Sequence, residues 1–292
     1  MNIQNEDQDD EHHGLDVNYG VETLVYYQND GTPWPVQIIV GLSTRGRNLI
    51  QSDHVDSTGV LLWPASHLMC QYLVQHRPLL GSVLELGCGC GLVSAVAAMT
   101  TNSTTTIVAT DRDYHTLRLC EENMKQNPLV LVKQFSWGDE CVMDELLALT
   151  PSAGFDVILG ADIVYPDTTD HVLDLLFISV RQLLSWQGHL LLSFVSRDGT
   201  RTPQRFLSAC QRHFMHLELV LEADSLTKKF PLPPMMGAKL LKLIPSETPD
   251  LNLGSDTCPV FPGLHSRISS LNDASASSDD EWQPPFSNDT LD

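Results

Sequence analysis

The stretch Val83-Leu84-Glu85-Leu86-Gly87-Cys88-Gly89-Cys90-Gly91 decides the fold. Val83 to Leu86 fit a short buried strand that ends in an acid. Glycines at alternate positions follow, and the apolar, alanine-rich run from Leu92 to Met99 reads as a helix. Glycine is needed where the backbone turns tightly and a ligand must lie against it, because a Cβ would collide. Strand, glycine turn and helix N-terminus together make a nucleotide cradle. The spacing is G-x-G-x-G, with Leu92 where a dinucleotide fingerprint would place its third glycine, and no Gly-Lys-Ser/Thr follows to make a P-loop. An acid just before the first glycine suits a ligand carrying an ammonium group rather than a pyrophosphate.

Composition narrows the class. A chain of 292 residues can bury one good core with length left over for tails. No apolar run approaches the roughly 20 residues of a membrane span. Met1 to Asp16 is polar and acidic, unlike a secretory signal or an Arg-rich transit peptide, so a cytoplasmic protein is expected, with the nucleus as a second location. The cysteines number seven and lack CxxC pairing, which fits buried free thiols in a reducing compartment. Cys88 and Cys90 occupy adjacent x positions of a glycine loop, a poor chelate with no His or Cys partner nearby, so no metal is expected.

The net charge of −20 is uneven. Residues 1–17 hold six acids and no Lys or Arg, and residues 247–292 hold nine acids and only Arg267. The remainder is mildly acidic and offers no basic footprint for nucleic acid. A protein partner with a basic segment is the better electrostatic match, although solvation of disordered tails explains the acids as well. The reading is therefore a disordered acidic N-terminus (1–17), one domain (18–246) and a disordered Ser/Asp/Pro-rich tail (247–292), in a chain expected to be monomeric.

Within that domain, 22–28 and 36–41 are strand-like runs joined by a turn-rich connection, which predicts a β-hairpin. An amphipathic helix is expected over 61–75. From residue 83 strands and helices alternate, with strands at 83–86, 107–110, 130–135, 155–161, 188–195, 217–223 and 239–244. Helices are expected near 91–99, 113–126, 140–149, 167–185 and 203–214. The early strands are apolar on both faces, as in a parallel sheet covered by helices. Asp224 to Ala238 contains Pro231, Pro233 and Pro234 and no helix-length pattern, so the last two strands should be antiparallel. The fold class is a doubly wound, Rossmann-like α/β sheet of seven strands, mostly parallel, preceded by a hairpin.

Ligands of open α/β sheets sit at the carboxyl ends of the strands. Glu85 closes the first strand of the alternating part. Asp111 closes the second and can accept both hydroxyls of a ribose, or it can cap the following helix, a role for which Asp113 competes. Trp137-Gly138 exits the third, where the indole can cover an adenine or cap the core. The fourth ends in Gly160-Ala161-Asp162-Ile163-Val164-Tyr165-Pro166, and an acid at a buried strand tip is costly unless bound to something.

E-x-G-x-G-x-G resembles motif I of the seven-β-strand S-adenosylmethionine (AdoMet) methyltransferases. TGxxLWPA (58–65), ELGCGCG, ATD, SWG and GADIVYP, in this order, resemble methyltransferase family 16, over roughly residues 20–245. That family mostly methylates lysine, and occasionally histidine, in other proteins. The resemblance implies AdoMet as methyl donor, held by Trp63, Glu85, Gly87, Gly89, Asp111 and Trp137, with Ala161 near the methyl group. It also implies that Asp162 and Tyr165, as D-x-x-Y, face the substrate and carry the catalytic role. Methyl transfer is an in-line displacement, so alignment is the main task. Lysine must first lose its proton, which a dry aromatic pocket promotes.

Three rivals are weaker. An enzyme acting on nucleic-acid bases would carry [DN]-P-P-[YF] where this chain has Asp162-Ile163-Val164-Tyr165. A small-molecule methyltransferase would want a late His base, and His189, His213 and His216 all fall within strand or helix patterns. Intact Glu85, Asp111, Asp162 and Tyr165 together argue against a catalytically silent AdoMet-binding scaffold whose acidic tails recruit partners.

Overall fold

The computed structural model describes residues 18–42, 57–77, 81–101, 105–151, 153–227, 229–235 and 237–245. The tails expected at 1–17 and 247–292 lie outside them. Five strands are parallel: β3 (Val83–Leu86), β4 (Ile107–Asp111), β5 (Val130–Gln134), β6 (Phe155–Ala161) and β7 (Leu184–Phe194). They form a sheet with β8 (Met215–Glu222) and β9 (Lys239–Pro245), in the order β5-β4-β3-β6-β7-β9-β8. β9 inserts antiparallel to both β7 and β8. Among its described residues the connection from β8 to β9 holds only the five-residue helix α7 (Ala223–Thr227), too short for the crossover that a parallel pair requires. That short helix was not expected from the sequence.

The central strands β3 and β6 are buried almost throughout, as two-sided coverage demands. One face packs on α1 (Pro64–His76), α2 (Leu92–Thr100) and α3 (Tyr114–Met124), around Leu68, Val93, Leu117 and Val83. The other packs on α4 (Glu140–Leu147), α5 (Asp170–Leu183) and α6 (Arg201–Arg212), around Met143, Leu176, Phe206 and Leu84. Asp113, Asp139 and Thr169 cap α3, α4 and α5 by accepting from backbone N–H groups three residues on. α5 ends two residues earlier than its pattern suggests and runs directly into β7. Leu184 already pairs with Phe155, and a bulge restores the register at Val157 and His189.

The hairpin is longer than expected, pairing β1 (Asn18–Tyr27) with β2 (Pro33–Leu42) as a separate two-stranded sheet. Its inner positions Leu24, Tyr26, Val36, Ile38 and Val40 are buried, a period-2 face. Side-chain amides dock it as an extra strand would. Gln71 of α1 accepts from the Tyr27 N–H at 3.0 Å and donates to the Tyr27 carbonyl at 2.6 Å. Asn123 of α3 accepts from the Ile39 N–H at 2.8 Å and donates to the Ile39 carbonyl at 2.9 Å and to the Cys90 carbonyl at 2.7 Å.

Asn123 thus ties the hairpin to the glycine loop. Asn123→Ala should lower the unfolding free energy in urea by about 2–3 kcal/mol, since it orphans three backbone groups. A change too small to measure would mean that water replaces all three bonds.

Candidate active site

Glu85 lies on the strand face that looks toward α2, is fully buried, and receives the hydroxyl of Ser94 on that helix. Desolvation pushes its carboxyl up to about 8, against the bond from Ser94, with the nearby charge of Asp111 adding to the rise. Asp111, at the tip of the neighbouring strand β4, is also raised by burial. Its two oxygens accept from the Gly89 N–H at 3.1 Å and the Asp113 N–H at 3.1 Å. The helix cap is Asp113, which accepts from the Thr116 N–H at 2.7 Å, so Asp111 is free of that duty.

The loop glycines have positive φ, 62° at Gly87 and 55° at Gly89. A Cβ on Gly89 would stand 2.8 Å from the Gly59 carbonyl oxygen, in the 3-10 turn Ser57–Val60. The close approach that demands glycine here is made by the protein's own backbone, where the sequence suggested a ligand. That turn leads to Trp63, whose indole N–H donates to the Thr58 carbonyl at 2.9 Å.

The tip of β6 stands beside that of β3. Ala161 closes the strand and Asp162 follows in the left-handed region at φ 59°, tolerated by Asp but sparsely populated. Its N–H donates to the Ser193 carbonyl at 2.7 Å, and the Ser193 hydroxyl donates to the Ala65 carbonyl at 2.9 Å. Sequence reasoning missed the partner of this acid. Arg197, just past the end of β7, donates to both carboxylate oxygens, at 2.9 Å and 2.5 Å. The same guanidinium lies over Trp63, 5.1 Å from the ring centroid. The signal was an arginine three residues past the strand next to β6, readable only once the strand order is known.

Tyr165 is 39% exposed, in a turn closed by Thr168. Past it opens a recess of about 560 Å³ lined by Pro166, Asp167, Thr169, Asp170, Asp198, Arg201 and Arg205. Trp137 is half-buried and packs against the α4–α5 side of the core. The three late histidines sit away from the tips. His189 is paired with Val157 low on β6, and its imidazole is pushed down to about 4, chiefly by burial. His213 bonds Asp174 at 2.8 Å, and His216 pairs with Ile244 at the opposite end of the sheet.

This arrangement gathers Trp63, Glu85, Gly87, Gly89, Asp111, Ala161, Asp162 and Tyr165 at one edge of the sheet, while Trp137 is engaged with the core. A sequence profile described as lysine methyltransferase matches residues 46–213. The chain belongs to the lysine methyltransferase family. The protein N-lysine methyltransferase METTL21A of Danio rerio is 33% identical over 162 residues, 53% of this chain and 67% of that protein. The histone-arginine methyltransferase METTL23 of Mus musculus is 31% identical over 121 residues, 39% of this chain and 45% of that one. Among solved structures, a TehB-like SAM-dependent methyltransferase from Corynebacterium glutamicum has a TM-score of 0.42 at 15% identity, covering 64% of this chain and 90% of that chain.

As a member of this family the protein draws its methyl group from AdoMet. The donor set fits that molecule. Two desolvated acids on adjacent strand tips want a cation and hydroxyl donors, and AdoMet brings an ammonium and a ribose diol.

The raised carboxyl of Glu85 has a consequence for stability. Unfolded, it ionises near 4.5; folded, it holds its proton to about 8. Stability therefore falls as pH rises through that interval, and the full penalty stands above it. Glu85→Gln, which can keep the Ser94 bond, should be more stable than the parent above pH 8 by a few kcal/mol. The two melting curves should converge near pH 4 to 5. A constant difference across pH would show that Glu85 is ionised in the fold.

Proposed function

We propose that this protein transfers a methyl group from AdoMet to the ε-nitrogen of a lysine side chain in another protein. The observation that carries this reading is the position of Asp162 and Tyr165, one strand from Glu85, in a chain of the lysine methyltransferase family. AdoMet supplies an electrophilic methyl on a sulfonium, and the rest of the mechanism is alignment in a dry site. Glu85 holds the ammonium of the donor, Asp111 its ribose, and Gly87 and Gly89 let the loop turn beneath it. Trp63 walls the pocket, Ala161 lies nearest the methyl, and Trp137 borders the adenine with one face while the other rests on the core.

Asp162 serves as an orienter and not as the base. Both its oxygens are committed to Arg197, and its side chain is only 1% exposed, so it fixes the shape of the acceptor mouth. Tyr165, at the solvent side, lines the channel by which the lysine enters. The recess beyond it sets Asp167, Asp170 and Asp198 against Arg201 and Arg205, with Asp170 paired to Arg205 at 2.8 Å, so its pull on a basic segment around the acceptor is slight and salt would weaken it. The protein partner, a monomeric enzyme and a cytoplasmic or nuclear site of action complete the reading. The name of the METTL23 relative makes arginine the second acceptor to consider.

Incubation with tritiated AdoMet and an extract of hypomethylated cells, followed by mass spectrometry of the labelled protein, should place the label on lysine. Asp162→Ala should lose it. Label in RNA or small metabolites would overturn the substrate class, and label on arginine or histidine would correct the acceptor alone. Calorimetry tests the donor assignment separately. AdoMet binding near pH 7 should expel a proton from Glu85 and tighten as pH rises toward 8, because the bound ammonium favours the carboxylate. Glu85→Gln should bind weakly with no proton release.

A further inference from the structure

The acid at the acceptor mouth is covered by a fixed cation. The Asp162 side chain is 1% exposed and that of Arg197 29%, so an arriving side chain meets the guanidinium and not the carboxylate. The fork is held by both oxygens of Asp162 and by the ring of Trp63, whose own indole N–H is anchored on the Thr58 carbonyl. Bidentate pairing and stacking are what a guanidinium does and an ammonium does not. Displacing it would leave a buried carboxylate unpaired.

We propose that Arg197 is a positioning residue that keeps the acceptor amine uncharged, an inference that rests on the lysine-acceptor reading above. Only the neutral amine has a lone pair to give, and a free lysine near 10.4 is almost wholly protonated at neutral pH. An unpaired Asp162 would make this worse, because a carboxylate holds an ammonium in its charged form. Arg197 cancels that acid and sets a permanent positive charge beside the acceptor, which disfavours a second one. The displacement then balances without a protein base. The ammonium proton leaves to water, the amine lone pair forms the N–C bond, and the C–S electron pair stays on sulfur.

Among the described residues, charged or titratable groups of the neighbouring strand ends and of α1 come from four segments. Tyr165 and Asp167 follow β6, and Asp198 and Arg201 follow β7, with Asp198 held by the Thr202 N–H and hydroxyl. Glu85 stands at the β3 tip. On α1, His67 is bonded to Tyr26, and burial pushes its imidazole down to about 4, so it is neutral at working pH. Arg197 bonds both oxygens of Asp162.

The test follows the initial rate of tritium transfer, at saturating AdoMet, to the proteins of a hypomethylated-cell extract, from neutral to alkaline pH. Arg197→Gln should slow transfer at neutral pH by roughly 10- to 100-fold and recover as pH rises, its midpoint moved up by about one to two units. Arg197→Lys, which keeps a cation, should lie between the two. AdoMet binding by calorimetry reports whether each variant is folded. If the lone acid unfolds Arg197→Gln, the Asp162→Asn/Arg197→Gln pair removes it and should show a smaller upward shift, from loss of the facing cation alone. A rate lowered by one factor at every pH, with the midpoint unmoved, overturns the inference while lysine labelling by the parent protein leaves the proposed function standing. A parent that labels no protein lysine overturns both.

Discussion

Three carboxyl groups, Asp111, Glu85 and Asp162, stand at the carboxyl ends of three neighbouring strands, β4, β3 and β6. Burying negative charge side by side is costly, and the local structure is arranged around that cost. Each acid is handled differently. Glu85 keeps its proton and accepts from Ser94. Asp111 is held by backbone N–H groups of the loop and of the turn before α3. Asp162 is matched by a guanidinium. Along the sheet edge the acid that keeps its proton thus lies between one held by backbone N–H groups and one in a closed ion pair.

On the function proposed above, that contrast corresponds to the donor and acceptor halves of the site. The proposed donor side keeps acids that are hydrogen-bonded but not matched by a cation, so a ligand still gains by bringing one. The acceptor side needs the opposite. An unsatisfied carboxylate there would trap the substrate as an ammonium, which cannot react. One sheet serves both needs because strand order, and not sequence distance, decides which neighbours an acid receives. Asp162 and Arg197 are 35 residues apart in the chain and adjacent across β6 and β7.

The same fact explains what could be read from the sequence. Strand–helix alternation and two-sided apolar runs gave the seven strands, and the proline-rich connection without a helix gave the antiparallel insertion, because both depend on local pattern. The acids at the tips were legible for the same reason, since a tip is a local feature. Arg197 was not, because its role exists only after β7 is laid beside β6. Ser94 escaped notice because nothing in a helix of small residues points to the one hydroxyl that faces β3. The 3-10 turn and α7 were lost because four- and five-residue helices carry no period. The glycines of the loop were legible from their spacing, and the structure adds a reason that the spacing could not show. At Gly89 the neighbouring backbone of Gly59 already occupies the space a Cβ would take.

That contact changes the role of the N-terminal part of the chain. The glycine loop is braced on one side by the turn at Gly59 and on another by Asn123, which also holds β2 through Ile39. The turn continues into Trp63, and Trp63 carries Arg197 on its ring. A displacement at Gly59 would therefore be felt both at Gly89 and, through Trp63, at Arg197. Packed elements pass such shifts on because interiors have little free volume to absorb them. The 3-10 turn thus touches the glycine loop directly and Arg197 through Trp63.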